Sequence, residues 1–256
     1  MRRYCLDYTN RHDISQVSSI MVDDYTLTMG QHRLVGRDTA YVPAASAQFR
    51  QFPGLGLTVH EVFTNGERLA MRFSEHGRSK KHFDRAASWS GLGLYCWDGS
   101  RLTHNAVEQD YYGRKVQLDG GATRAIEAPA VAPWDVVDTP ANAAAESVVR
   151  EFVLSGKLLE VVTFDDGWSH VSAQPKFDNP RYEIDDLFSA GNDVAFRLVI
   201  HGTYSGGLPE LDDRIGSDTV HYAVGTVRVE AGLVSTGRVI TDRLGLVRRM
   251  NARSRD

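Results

Sequence analysis

Two aspartates recur in matching surroundings near the middle and the end of the chain. Asp110 stands in AVEQDYYGRKVQL, residues 106–118, and Asp242 stands 132 positions later in RVITDRLGLVRRM, residues 238–250. A carboxylate in an apolar cavity has a raised pKa, which suits it to remove a proton beside a carbonyl and to return one to the developing oxyanion. Each aspartate also precedes a glycine by three residues, which equally favours a tight turn between an apolar strand and a further strand. Both interpretations remain open from these residues.

A second pair of segments shows that the repetition is general. FTNGERLAMRFSEHG at 63–77 matches FSAGNDVAFRLVIHG at 188–202, 125 positions later, with identical residues at six positions. Two blocks in the same order predict an internal duplication. We expect copy one over residues 1–118, a linker rich in Ala, Pro and Gly over 119–141, and copy two, with a shortened helical part, over 142–256.

Each copy has helical patterns first and strands afterwards, which predicts an α+β fold. In copy one, TAYVPAASAQFRQF predicts a helix that is interrupted near Pro43 and ends at Pro53. Four segments rich in β-branched and aromatic residues follow, separated by Asn-Gly and Asp-Gly turns, which predicts a meander of antiparallel strands. A curved sheet wrapped on helices leaves a cavity where a small molecule could bind.

The composition narrows the classes of function. The 256 residues carry a net charge of −4 with no basic stripe, so we expect no nucleic-acid partner. No apolar run approaches the roughly 18–20 residues that span a bilayer, so we expect no membrane partner. Cys5 and Cys96 lack metal or disulfide spacing, and no phosphate-binding glycine motif precedes a helix. We therefore expect a cytoplasmic protein with no metal and no cofactor.

The first copy, with VDDYTL, GRDTAYVPAASAQFRQFPGLGLTVHEVF and DGSRLTHNAVEQDYYGRKVQL, resembles the SnoaL-like polyketide cyclases of the nuclear transport factor 2-like superfamily. The second copy contributes DDGWSHV and VITDRLGLVRRM. The resemblance implies two cone-shaped α+β barrels in tandem. It also implies cofactor-free acid–base catalysis by an acid on the last long strand, at Asp110 and Asp242, and a pocket histidine at His170.

The sequence also predicts the roles and the sheet faces of several other side chains. His170 could exchange protons or donate a hydrogen bond to substrate, or it could simply end a strand bonded to backbone. Along AFRLVIH the apolar residues alternate with polar ones, which places Arg197 and His201, and by repetition Arg72 and His76, on the outer face of each sheet. Aromatic residues are expected to contact substrate, although Trp89 also fits a core position: Tyr25, Phe73, Trp89, Trp168 and Phe196.

These observations predict a cofactor-independent acid–base enzyme that cyclises, isomerises or dehydrates a hydrophobic oxygenated small molecule. The alternative is a non-catalytic small-molecule-binding or accessory protein, favoured because the family's tryptophan before the acid is replaced by Ala106 and Arg238. A sheet with one bare face is readily buried against another sheet. We therefore expect the two copies to pack back to back as an intramolecular pseudo-dimer, which is compatible with a further homodimer.

Overall fold

Two β-sheets organise the molecule. The computed structural model describes residues 1–164 and 174–252, with one sheet in each half of the chain. The helices of each half pack on one face of its own sheet, here called the helix face; the opposite side is the outer face. No helix in the described ranges is long and apolar enough to cross a membrane. The predicted α+β class is confirmed.

The sheet of copy one has six strands. They are β1 (Met21–Met29), β2 (His32–Val35), β3 (Gly56–Thr64), β4 (Arg68–Ser79), β5 (Arg85–Trp97) and β6 (Leu102–Gln109). Their order is β2-β1-β6-β5-β4-β3, and only β1 and β6 are parallel neighbours. The predicted antiparallel meander is present as β3 to β6. The parallel pair β1 and β6 makes the whole sheet mixed rather than purely antiparallel. Sequence patterns locate strands without giving their partners, and β6 pairs through its second edge with the first strand of the copy.

The helical part of copy one is built from short pieces. They are π-helical turns at Tyr4–Thr9 and Arg37–Tyr41, a 3₁₀ turn at Ile14–Gln16, α1 (Val17–Ile20) and α2 (Val42–Gln51). Pro43 lies in the first turn of α2 and does not interrupt it. The first turn has no intrahelical acceptor for its N–H groups, so a residue without one is tolerated there.

Strand β4 separates the two faces of the sheet by alternation. Met71 and Phe73 are almost fully buried on the helix face, in a core that includes Tyr8 and Tyr41. Ala70, on the outer face, is buried among residues of both copies. Arg72 shares the outer face with Ala70, as the period of two predicts.

The acid of each repeated motif begins a helix. Asp110 is the N-cap of α3 (Tyr111–Leu118), and Asp242 immediately precedes α6 (Arg243–Ala252). The Asp110 and Asp242 carboxylates accept hydrogen bonds from the amides of the glycines three residues on, at 2.8 and 2.9 Å. The expected second strand in each motif is therefore wrong, because an aspartate that bonds the amide three residues later satisfies the free N–H groups of a helix start.

Copy two repeats the arrangement with five strands. They are β7 (Val162–Phe164), β8 (Lys176–Ala190), β9 (Asp193–Gly206), β10 (Asp218–Glu230) and β11 (Leu233–Thr241). Their order is β7-β11-β10-β9-β8, with β7 parallel to β11, which matches the order β1-β6-β5-β4-β3. Helices α4 (Ala143–Leu154) and α5 (Leu158–Val161) precede the strands. The predicted tandem of two like units is confirmed, whereas their boundaries at 118 and 142 stay a prediction.

The outer faces of the two sheets pack against each other. Phe63 and its repeat partner Phe188 have ring centroids 6.0 Å apart, and Ala70 and Ala195 are buried in the same cluster. Contact between equivalent residues is expected where two like units meet about an approximate two-fold axis. The remaining members of the cluster come from both copies: Leu92, Leu94, Ala106, Ala190, Val224 and Ile240. The back-to-back arrangement expected from the sequence is therefore present within one chain.

The segment between the copies follows the edge of the first sheet. It contains no helix or strand from 119 to 142. The amides of Ala130 and Thr139 donate to the carbonyls of Val59 and Thr64 on β3, at 2.8 and 2.9 Å. These bonds satisfy carbonyls of an edge strand, which leaves less of that edge open to other chains.

Candidate active site

A cavity of about 350 Å³ lies on the helix face of copy one. Its apolar wall comes from the β1–β2 hairpin, through Leu27, Met29 and Leu34, and from Phe49 of α2. Polar side chains line it from α2 and from five further elements. They are Tyr8, Tyr41, Gln48, Glu75, Gln109 and Tyr111. An apolar space with a few convergent polar groups is the usual form of a small-molecule site.

Glu75 is the acid of this cavity. It continues the alternation of Met71 and Phe73 along β4, so its side chain points to the helix face, and the residue is 6% exposed. The Gln48 amide of α2 donates a hydrogen bond of 2.7 Å to its Oε2. Burial raises the pKa of Glu75 to about 7, while the positive charge of Arg114 and the Gln48 bond act in the opposite sense. A carboxyl group with a pKa near neutrality can both take and return a proton.

Helix α3 supplies the charge near Glu75. The Arg114 guanidinium lies 3.9 Å from the ring centroid of Tyr111 and 4.8 Å from that of Trp89. The Trp89 indole N–H donates to Gln109 Oε1 at 2.7 Å. Because cations are attracted to aromatic faces, the rings hold this guanidinium in one place.

Buried tyrosines provide hydrogen-bond donors in the same space. The Tyr8 hydroxyl donates to the Tyr41 hydroxyl over 3.0 Å. Burial raises the pKa of both phenols above the ordinary value, and it raises that of Tyr111 to about 12. These hydroxyls therefore stay protonated at neutral pH and can donate to a substrate oxygen.

The two aspartates singled out in the sequence occupy helix ends. Besides its cap bond, Asp110 accepts a 2.6 Å hydrogen bond from Arg243, and these side chains are 2% and 1% exposed. Asp242 accepts a 2.6 Å bond from Arg249. Neither aspartate lines the copy-one cavity in the part of the chain that the structure describes. A catalytic role for either one stays a prediction.

The expected substrate-contacting aromatics lie in packed cores. Tyr25 and Phe73 belong to the helix-face core of copy one, Phe196 to that of copy two, and Trp89 to a cluster with Phe52. Trp89 is not a lining residue of the cavity, but it lies opposite Glu75 in the β4–β5 register, and a hydrogen bond from its side chain lowers the pKa of Glu75. Their role in binding stays a prediction. His170 and Trp168 lie outside the described residues.

Glu75 is the site residue that sequence reasoning missed. The alternation that places Arg72 and His76 on the outer face also places Glu75 on the helix face, between apolar positions, and this is the signal that could have found it. The equivalent residue of copy two, 125 positions later, is Ile200. The two copies therefore differ at the position of the buried acid.

The described residues offer no obvious metal site. Within residues 1–164 and 174–252, no group of three or more His, Cys, Asp or Glu side chains could hold a metal ion.

Comparison with known proteins finds a similarity within copy one. A sequence model described as the SnoaL-like domain matches residues 1–105. This match lies in the first copy and covers less than half of the chain, and the second copy repeats the sheet order of the first. None of the curated proteins compared matches this chain.

Solved structures of single domains resemble about half of the chain. One is a SnoaL-like polyketide cyclase from Agrobacterium tumefaciens, with 16% identity over 45% of this chain and 92% of that chain, at a TM-score of 0.40. Another, described as a candidate SnoaL-like polyketide cyclase from Jannaschia sp. CCS1, has 12% identity over 47% and 89% of the two chains, at a TM-score of 0.43.

Proposed function

We propose that this chain is a cofactor-independent acid–base enzyme that acts on a hydrophobic oxygenated small molecule bound in the copy-one cavity. The observation that carries the proposal is the Glu75 carboxyl, buried in a largely apolar space with a pKa of about 7. Cyclisation, isomerisation and dehydration of such molecules share one step, the removal of a proton from carbon beside a carbonyl. Proton transfer by a carboxyl group requires neither a metal nor a redox cofactor.

The side chains around the cavity supply the remaining parts of that step. The Glu75 carboxylate accepts the proton from carbon. The Tyr41 hydroxyl, which accepts the Tyr8 hydrogen bond, donates its own hydrogen to the carbonyl oxygen as negative charge develops there. Protonated Glu75 then returns the proton to carbon or to a leaving hydroxyl. The Gln48 amide holds the Glu75 carboxylate in place through its 2.7 Å bond.

Deuterium exchange tests this step without knowledge of the natural substrate. With 2-tetralone in D₂O, the protein should catalyse incorporation of deuterium beside the carbonyl, followed by NMR. Glu75→Gln keeps the shape of the side chain and removes the base, so exchange should fall by about 10²-fold or more. Since the carboxylate is the base, the wild-type exchange rate should rise with pH and level off above about 7.

Two further variants separate the alternatives. Glu61→Gln removes a carboxyl outside the cavity whose pKa is also raised by burial, and it should exchange at the wild-type rate. Asp242→Asn tests the sequence-based assignment and should likewise retain exchange. Saturable binding of the ketone with no exchange by the wild type would instead favour the non-catalytic binding protein.

A further inference from the structure

Residues of copy two contact two elements of copy one that carry cavity-lining residues. The first is the Arg243–Asp110 ion pair, which joins α6 of copy two to the N-terminus of α3 over 2.6 Å. The Arg243 guanidinium also lies 4.9 Å from the Tyr112 ring centroid, in the first turn of α3. An ion pair this deeply buried adds little net stability over an apolar pair of similar volume. Its main effect should therefore be to fix the position of the N-terminus of α3.

Helix α3 links this ion pair to the cavity, because two of its residues lie in or near the site. Tyr111, directly after the Asp110 cap, lines the cavity, and Arg114, one turn on, supplies the charge that favours ionised Glu75. A shift of the N-terminus of α3 would therefore move both residues together. The tyrosines that lie close enough for the Glu75 charge to raise their pKa values are Tyr8, Tyr95 and Tyr111.

The second point is the turn of the β1–β2 hairpin. Arg197 of β9 donates a 2.6 Å hydrogen bond to the carbonyl of Gly30, and the Gly30 amide donates to Glu108 at 2.6 Å. A Cβ atom at position 30 would lie 2.3 Å from Oδ2 of Asp242, so copy two also contacts this turn sterically. The two strands that leave the turn carry cavity residues, among them Leu27, Met29 and Leu34.

We propose that copy two is a built-in support for the copy-one site, in which Arg243 and Arg197 are positioning residues. Arg243 holds α3, and with it Tyr111 and the Arg114 charge beside Glu75. Arg197 holds the β1–β2 hairpin that forms the apolar wall. The inference rests on the proposed function only in taking Glu75 as the reacting group.

The first test removes the Arg243 contact from the full chain without leaving a buried charge. Arg243→Met fills a similar volume, and Asp110→Asn in the same protein retains an N-cap oxygen for α3. The pKa of Glu75, followed by ¹³C NMR of the labelled carboxyl and assigned with Glu75→Gln, should rise by about half a unit or more, because Arg114 is less well placed. The affinity for 2-tetralone should fall by about tenfold.

A matched control lies on the same helix. Lys115 and Asp119 form an exposed ion pair of 2.7 Å towards the other end of α3, and neither residue lines the cavity. Lys115→Met with Asp119→Asn should leave both measurements at wild-type values. A folded Arg243→Met, Asp110→Asn protein with the wild-type titration and affinity would overturn the role of Arg243. Arg243→Lys, which keeps the charge, should give a Glu75 pKa and a 2-tetralone affinity between those of the wild type and those of the double variant.

Loss of the contact between Arg197 and Gly30 should change the affinity alone. Arg197→Met should weaken 2-tetralone binding and leave the pKa of Glu75 unchanged, because the hairpin does not carry Arg114. Unchanged affinity would overturn the role of Arg197. Neither measurement needs turnover, so a Glu75→Gln protein that still exchanges deuterium would refute the proposed function without deciding these results.

Discussion

At the scale of single residues, the buried Glu75 carboxyl lowers the stability of the fold at neutral pH and is also the group proposed to transfer protons. A carboxyl group whose pKa is raised in the folded state binds its proton more tightly there than in the unfolded chain. Stability is therefore greatest at low pH and falls as pH rises from the unfolded pKa, near 4.5, to the folded pKa of about 7. Ile200 occupies the equivalent position of copy two, where an apolar side chain carries no such cost.

This cost gives a measurable prediction. Glu75→Gln removes the charge that must be buried above pH 7, so at pH 8 the variant should be more stable than the wild type by up to about 3 kcal/mol. The gain should shrink as pH falls and reach zero only below pH 4.5, where the wild-type carboxyl becomes protonated in both states. Urea unfolding at several pH values measures it. Glu67→Gln, in the exposed β3–β4 turn, provides the control and should show no such trend.

Asp110 and Asp242 illustrate the opposite outcome at the same scale. Their recurrence with a glycine three residues later is explained by a repeated helix start, since each carboxylate bonds the amide of that glycine. Their arginine partners come from different positions, Arg243 in the other copy and Arg249 within α6. A duplicated motif can therefore retain one structural role and still acquire different neighbours.

At the scale of elements, close approach between strands explains one glycine of β5. Phe73 of β4 lies over Gly91, and a Cβ atom there would be 2.4 Å from the end of the phenyl ring. Phe73 itself is packed in the helix-face core of copy one, so the ring has little room to move away. Glycine at this position lets the core side chain lie flat on the neighbouring strand.

Gly91→Ala should therefore destabilise the protein by about 1–3 kcal/mol through overpacking. Gly54 is the matched position, because a Cβ atom there would meet nothing within 4 Å. Thermal unfolding of Gly91→Ala and Gly54→Ala against the wild type measures the difference. Equal melting temperatures for all three proteins would contradict the packing argument.

At the scale of the whole molecule, the two sheets share one buried cluster between the copies. Phe188 is 4% exposed there, and the Arg68 guanidinium lies 4.8 Å from its ring centroid. Arg68 also pairs with Asp186, at 2.5 Å, so the contact joins β4 to β8 through both charge and packing. Each copy thus loses a buried face if the other unfolds, which predicts that the copies unfold together.

Phe188→Ala tests this coupling. Loss of the ring between the sheets should cost about 3–5 kcal/mol. In calorimetry, the single transition expected for the wild type should broaden or divide, because the remaining contacts bind the copies less tightly. Phe83→Ala is the control, since Phe83 is 96% exposed. A wild type that already unfolds in two separate transitions would show that the copies are energetically independent.

Local patterns in the sequence were sufficient for the helices-before-strands plan of each copy, the duplication and the two faces of each sheet, but they predicted a strand where α3 and α6 lie. The period of two along β4 and β9 separates helix-face residues from Arg72 and Arg197 without any tertiary information. The bare outer face of a duplicated sheet also predicted the back-to-back packing. These features follow from short-range spacing and from the need to bury apolar area, and both can be read directly from the residues.

The tertiary structure decided which acid occupies the cavity and which residues of one copy touch the other. The chain after β6 becomes a helix instead of a strand, and the Asp110 carboxylate at its start pairs with Arg243 instead of lining the pocket. Glu75, on β4, lines it. The parallel pairing of β1 with β6 is likewise a choice of partner between distant segments. Burial, and with it the raised pKa of Glu75, is a property of all the elements that surround a side chain. The alternation along β4 places Glu75 on the helix face, but its burial and raised pKa come from contacts between residues far apart in sequence, which that local pattern does not contain.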